Sequence, residues 1–151
     1  MTSHFDTLET RDPALREREQ LAQLRRQVAH AKAHAPAFAR ALAHVDPASL
    51  DSRCALAALP VTRKSDLLDL QRAARPFGGL AATAWGAARR VFQSPGPIYE
   101  PEGSQADYWR LARALFAAGF RRGHLVHNCF AYHLTPAGSM AETAAHALGC
   151  T

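Results

Sequence analysis

Few residues in this sequence favour β-structure. Of 151 residues, Val and Ile together account for only six, whereas Ala accounts for 32. Because β-branched side chains favour strands and Ala favours helices, an all-β sandwich or barrel is excluded and helix should dominate. A chain of this length is the size of one ordinary domain and can bury a core of its own.

Long hydrophobic runs and a secretory signal are also lacking. No apolar stretch approaches the roughly 18–20 residues needed to cross a bilayer. The first residues, Met1 to Asp6, include neither a basic segment nor an apolar one. We therefore expect a cytoplasmic protein with no membrane partner.

Lysine is scarce, since 16 of the 18 basic residues are Arg, and the formal net charge is +5. The excess is spread thinly, at +3 over residues 1–75 and +2 over residues 76–151, with acidic residues interleaved. Nucleic-acid binding would require a concentrated basic surface. We therefore expect no nucleic-acid partner.

The three cysteines, Cys54, Cys129 and Cys150, are widely spaced and form no Cys-x-x-Cys pair. This pattern argues against a disulfide framework or a zinc site and favours free thiols. His127 and Cys129 lie two residues apart, but two ligands do not make a metal site. No catalytic triad or carboxylate pair can be assembled from spacing, so no catalytic residue or metal ligand is assigned.

The first 87 residues read as a helical N-terminal segment. Asp12 and Pro13 begin a long helix with an apolar stripe, and Pro36 ends or kinks that helix near residue 35. Shorter helical turns and one further helix follow, so residues 1–87 form one predicted region.

The pattern changes to α/β at residue 88. Two short strands, 89–93 and 98–100, flank a Ser-Pro-Gly-Pro turn, and a helix capped by Ser104 and Asp107 follows. Residues 124–130 then read as a buried strand, and a helix runs from Thr135 to Leu148. We expect residues 89–93 and 124–130 to lie side by side in a parallel sheet. Residues 88–151 are thus the first, incomplete βαβ part of a larger α/β domain.

Five segments in order resemble the N-terminal portion of the phenylacetate–CoA ligase family, within the AMP-forming adenylating-enzyme superfamily. They are Ala31–Phe38, Leu59–Leu67, Pro76–Gly78, Ala117–Asn128 and Ala144–Cys150. The resemblance implies a ligase that joins a small carboxylic acid to coenzyme A, using ATP and magnesium, through an acyl-adenylate. It also implies that the groups for turnover lie beyond residue 151, so we expect this chain alone not to be catalytic.

The family's phosphate-binding loop aligns with residues 94–101, where Ser94 and Gly96 match its start. The paired Thr, the second Gly and the Lys of that loop are absent, while Pro95, Pro97 and Glu100 are present. Each proline lacks an N–H donor, and Glu100 adds negative charge where a polyphosphate would lie. Because loss of a charge-assisted contact costs about 1.5–3 kcal/mol, we expect nucleotide affinity to be weaker than in the family by a factor of about ten or more. A rigid hairpin connection is the alternative reading.

The family's acyl-pocket segment aligns with residues 128–138. The resemblance assigns substrate binding to Asn128, Phe130, Tyr132, His133, Ala137 and Gly138. Phe130 and Tyr132 would supply an aromatic wall, which favours an aryl acid. Free N–H groups at the helix start would favour an anion, although ordinary packing and capping also explain these residues.

A second function stays open from the sequence. The altered loop at residues 94–101 is also compatible with a non-catalytic, acyl-ligand-binding or split subunit. Such a subunit would pair its open sheet edge with a partner chain or with a second copy of itself.

Overall fold

The computed structural model describes residues 3–151, which form two compact units. The helical unit comprises Asp6–Ala82. The α/β unit comprises Thr83–Thr151 together with residues 3–5. The division into domains 1–87 and 88–151 that the sequence predicts stays a proposal.

The helical unit is built from short helices around one long one. Its α-helices are α1 (Pro13–His34), α2 (Pro36–Ala41), α3 (Arg53–Ala57) and α4 (Lys64–Ala73). The α1 helix begins as predicted, because the Asp12 carboxylate accepts a hydrogen bond from the Leu15 N–H at 2.9 Å and Pro13 occupies the first position. Pro36 separates α1 from α2, also as predicted.

The core of the helical unit contains Val28, Leu42 and Leu50. Val28 comes from the apolar stripe predicted on α1. The partly buried side chains that pack around these three are Leu24, Phe38, Val45, Ala55 and Leu59. Burial of this apolar surface holds α1 against α2 and the turns that follow them.

The α/β unit contains a hairpin and two helices. Its elements are β1 (Arg90–Ser94), β2 (Ile98–Glu102), α5 (Ala112–Ala117) and α6 (Ala137–Leu148). The two strands are antiparallel with Ser94 opposite Ile98, so residues 95–97 form the turn. Gly149, with φ of 76°, ends α6 where the sequence predicted.

The parallel pairing predicted between residues 89–93 and 124–130 is wrong. Over residues 3–151, the one sheet is the antiparallel pair β1–β2. The short Pro-Gly-Pro turn brings β2 beside β1 at a small cost in loop-closure entropy, which favours this local pairing.

Residues 124–126 pair instead with the chain that follows α6. The Thr151 N–H donates to the His124 carbonyl at 2.9 Å, and the Val126 N–H donates to the Thr151 carbonyl at 2.8 Å. This alternation is the bonding pattern of parallel strands. The segments before and after α6 are therefore hydrogen-bonded to each other in parallel, although neither is a strand of the sheet.

The helix predicted from Ser104 begins later, at Ala112. Asp107 has a positive φ of 48°, which interrupts a right-handed helix. Its carboxylate accepts hydrogen bonds from the N–H groups of Leu111 at 2.9 Å and Ala112 at 3.1 Å. Asp107 therefore caps α5 from outside the helix.

From residue 3 to residue 151, no helix is long and apolar enough to cross a bilayer.

Candidate functional site

The hairpin occupies the position at which the sequence places a phosphate-binding loop. Its strands bury Phe92, Ser94 and Ile98 in the α/β unit, whereas the residues of the turn are exposed. Gly96, at the tip, has φ of 138°, a conformation that favours glycine. The tip is therefore a closed turn of three residues whose shape its own sequence fixes.

The donors that a triphosphate requires are scarce at this tip. Between Ser94 and Ile98 only Gly96 has a backbone N–H, because residues 95 and 97 are prolines. The buried Ser94 hydroxyl donates to the Ile98 carbonyl at 3.4 Å. Phosphate sites use several successive N–H groups or nearby cations, and residues 94–101 contain no Lys or Arg but do contain Glu100. These residues do not fit a triphosphate.

Residues 128–138, which we name the acyl loop, are organised by the side chain of Asn128. Its Nδ2 donates to the Tyr132 hydroxyl at 2.8 Å and to the Gly138 carbonyl at 2.9 Å. Its Oδ1 accepts from the Phe130 N–H at 3.1 Å. One amide thus bonds to the beginning, middle and end of the loop, which accounts for an Asn at this position.

The aromatic residues of the acyl loop present open surfaces. Phe130 is 61% exposed and Tyr132 is 52% exposed. His133, between Tyr132 and the exposed Leu134, is exposed as well. The structure therefore places Phe130, Tyr132 and His133 on one exposed segment, without enclosing them.

The acyl loop ends at the first turn of α6, where the sequence predicts an anion-binding helix start at Ala137 and Gly138. The Gly138 N–H already donates to the Ala131 carbonyl at 3.2 Å. A Cβ added at Gly138 would lie 2.7 Å from that same carbonyl oxygen. Gly138 therefore allows close approach of two backbone segments, and its N–H is committed to the loop.

The structure brings the two predicted sites together. The Gln93 N–H, next to Ser94 on β1, donates to the Leu134 carbonyl of the acyl loop at 2.8 Å. The assigned roles of Ser94, Gly96 and the acyl-loop residues in ligand binding stay predictions.

Sequence reasoning missed four residues that join these elements. The sequence analysis assigns no role to Arg90 or Trp109, yet both donate hydrogen bonds to the Glu102 carboxylate. Arg90 also donates to Ser139 on α6. The local signal of such a buried polar group is a Glu at a position that the alternation of a strand places on its buried face. Over the described residues, no cluster of three or more His, Cys, Asp or Glu side chains could hold a metal ion.

No protein-family model matches this chain, but curated proteins do. The phenylacetate–coenzyme A ligase of Aromatoleum evansii is 35% identical over 141 residues, which cover 87% of this chain and 31% of that ligase. The ligase of the same name from Thermus thermophilus is 34% identical over 139 residues, covering 85% and 30%. That of Pseudomonas putida is 30% identical over 156 residues, covering 97% and 34%. The chain spans about a third of the length of these relatives.

Solved structures of 2-hydroxyisobutyryl-CoA ligase have the same fold. One, in the postadenylation state with 2-HIB-AMP, matches with a TM-score of 0.82 at 28% identity, covering 91% of this chain and 30% of that one. Another, an open conformation with 2-HIB-AMP and CoA, matches with a TM-score of 0.84 at 27% identity, covering 93% and 34%.

The comparisons confirm the resemblance to phenylacetate–CoA ligases and the fold class, the N-terminal region of an adenylating enzyme. None of these proteins is named as a non-catalytic or split subunit. The alternative function is therefore not supported.

Proposed function

We propose that this chain forms the N-terminal part of an AMP-forming ligase that joins a carboxylic acid to coenzyme A. The observation that supports this most strongly is the similarity to phenylacetate–coenzyme A ligases at 30–35% identity over 85–97% of the chain. ATP, magnesium and coenzyme A are the cofactors that such a reaction uses. The reaction belongs to the whole enzyme, of which this chain corresponds to about a third.

The part of the function that we assign to this chain is binding of the acid by the acyl loop. Asn128 holds the loop in one shape, and the aromatic faces of Phe130 and Tyr132 are left available to a ligand. Flat aromatic surfaces favour an aryl acid over a short aliphatic one, since ring–ring contacts add to the burial of apolar area. Phenylacetate is a small acid of this class.

We further propose that the chain alone does not activate the acid. The hairpin tip lacks the N–H donors and cations that stabilise charge on phosphoryl oxygens. Phenylacetate-dependent exchange of pyrophosphate into ATP should therefore be absent for the purified 151-residue chain. Exchange above the level seen without phenylacetate would refute this expectation.

We also propose a cytoplasmic location. Cys54, Cys129 and Cys150 are free thiols, and two of them are exposed. Exposed thiols persist unpaired in a reducing compartment.

Acid binding can be tested by titrating the isotope-labelled chain with phenylacetate and following its backbone amide resonances. We expect saturable shifts at residues 130–133 and 138. The affinity should be about tenfold lower in Tyr132→Ala, because both the ring contact and the hydrogen bond from Asn128 are lost. Tyr99→Ala is the matched control, since Tyr99 is also an exposed tyrosine of the α/β unit. Absence of saturable shifts in the acyl loop, or equal losses in both variants, would contradict the proposal.

A further inference from the structure

A buried polar group joins the hairpin to the start of α6. The Glu102 side chain, in a residue 1% exposed, accepts a hydrogen bond from Arg90 Nη1 at 2.9 Å and another from Trp109 Nε1 at 3.4 Å. The same Arg90 nitrogen donates to the Ser139 hydroxyl at 2.8 Å. We call Arg90, Glu102, Trp109 and Ser139 the polar junction.

Stability alone does not account for a carboxylate in this position. Glu102 is the largest side chain that is almost completely buried among the described residues. Removing a carboxylate from water is unfavourable, and one ion pair with the half-exposed Arg90 does not reliably offset that penalty. In proteins generally, replacing a whole buried ion pair by apolar side chains of similar volume is often neutral or favourable for stability. What the charged pair adds is a fixed direction of approach between the groups it joins.

The polar junction acts where the acyl loop ends. Ser139 directly follows Gly138, the last residue of that loop, and is itself buried. The hairpin has a second attachment to the loop through the Gln93 N–H and the Leu134 carbonyl. These two attachments act at Leu134 and Ser139, at the end of the acyl loop. Asn128 joins the beginning of the loop to its end, through the Phe130 N–H and the Gly138 carbonyl.

We propose that Arg90 and Glu102 are positioning residues that hold the acyl loop in the shape that binds the acid. In this chain the hairpin thus serves as a support for the acyl loop. The inference rests on the proposed function in one respect, that the acyl loop is the segment that contacts the acid.

The proposal can be tested by amide hydrogen exchange in the full 151-residue chain. The variants are Glu102→Gln, which removes the charge but keeps the shape, and Ser139→Ala, which removes only the attachment to α6. We expect the amides of Gln93 and Gly138 to exchange roughly tenfold faster in both, as loss of one supporting hydrogen bond predicts.

Two readouts separate positioning from general stability. The Val126 and Thr151 amides form the hydrogen bonds between residues 124–126 and residue 151, outside the polar junction. They should exchange at the wild-type rate in Ser139→Ala. The indole N–H resonance of Trp109 should shift in Glu102→Gln, since its acceptor changes. Phenylacetate should bind more weakly to Ser139→Ala, although the thermal midpoint stays near that of wild type.

Glu100→Gln is the matched control. Glu100 lies on the same strand as Glu102 and the substitution removes the same charge, but Glu100 lies outside the junction. We expect wild-type exchange at Gln93 and Gly138 and an unshifted Trp109 indole resonance in this variant.

Unchanged exchange at Gln93 and Gly138 in Ser139→Ala would overturn the proposal, and so would equal acceleration at Val126 and Thr151. If Glu102→Gln fails to fold, Ser139→Ala still decides, because it removes one hydrogen bond and no charged group. Faster exchange at Gln93 and Gly138 without any phenylacetate binding would uphold the support of the loop and refute acid binding by the acyl loop. Phenylacetate binding with unchanged exchange at Gln93 and Gly138 would uphold acid binding by the acyl loop and refute the proposed support of the loop.

Discussion

At the scale of single residues, the acyl loop depends on two groups with different tasks. Asn128 provides three hydrogen bonds from one amide, and Gly138 provides the space in which the loop meets α6. The side chains that would contact an acid, Phe130 and Tyr132, are carried on this framework. A change in the framework should therefore alter the loop even where no ligand is touched.

The close contact at Gly138 leads to a prediction about stability. Gly138→Ala should lower the free energy of unfolding of the α/β unit by about 1–3 kcal/mol, because the added Cβ overlaps the Ala131 carbonyl oxygen. Urea unfolding followed by tryptophan fluorescence measures this unit, since Trp85 and Trp109 both lie in it.

Gly86→Ala is the control for that substitution. A Cβ added at Gly86 meets no atom within 4 Å, and Gly86 belongs to the same unit. We expect its unfolding midpoint to stay close to that of wild type. If the two substitutions changed the free energy of unfolding equally, the close contact at Gly138 would not lower stability, and the prediction would be wrong.

At the scale of elements, the hairpin is defined by its short turn. Pro95 and Pro97 fix their own φ angles, and Gly96 adopts the positive φ that closes the three-residue turn. The same residues that make the turn rigid remove the N–H groups that would bind phosphate. Rigidity and loss of donors thus have one cause.

A prediction about ligand binding follows at this scale. Inorganic tripolyphosphate should leave the amide resonances of Gly96 and Ile98 unshifted, because the tip offers a single backbone N–H and lies near Glu100. Sodium chloride at equal ionic strength controls for general screening of charge. Saturable shifts confined to residues 94–98 would show that the tip does bind phosphate.

At the scale of the whole molecule, large apolar side chains of the α/β unit are left exposed. Among them, Leu125 is 84% exposed and lies between His124 and Val126, the two residues that pair with Thr151. A parallel arrangement of so few residues has an open edge. The relatives are about three times as long as this chain, so an exposed edge at this point agrees with the proposed place of the chain in a larger enzyme.

We therefore predict that the isolated chain self-associates as its concentration rises. Light scattering should give an average mass above 16.4 kDa at high concentration, and Leu125→Lys should reduce it, because a charge at an edge opposes pairing. Val61→Lys is the matched control, since Val61 is 80% exposed but belongs to the helical unit. A stable monomer at all concentrations, or equal effects of the two substitutions, would contradict an associating edge.

The sequence by itself determined the features that depend on neighbouring residues. Asp12 and Pro13 mark the start of α1, the Pro-Gly-Pro turn marks the hairpin, and Gly149 marks the end of α6. Each is a local preference of the backbone, so a short stretch of sequence is enough to predict it. The resemblance to the ligases likewise came from the sequence, through segments in the correct order.

Only the tertiary structure decided which distant segments meet. Arg90 bonds to Ser139 across 49 positions, and Thr151 pairs with His124 after a complete helix. The burial of Glu102 depends on all of these contacts at once. Apolar residues that recur every two or every 3.6 positions indicate which face of an element is apolar, but they do not indicate which segment packs against that face. Packing therefore decided both the polar junction and the partner of residues 124–126, because the local sequence pattern is compatible with several pairings.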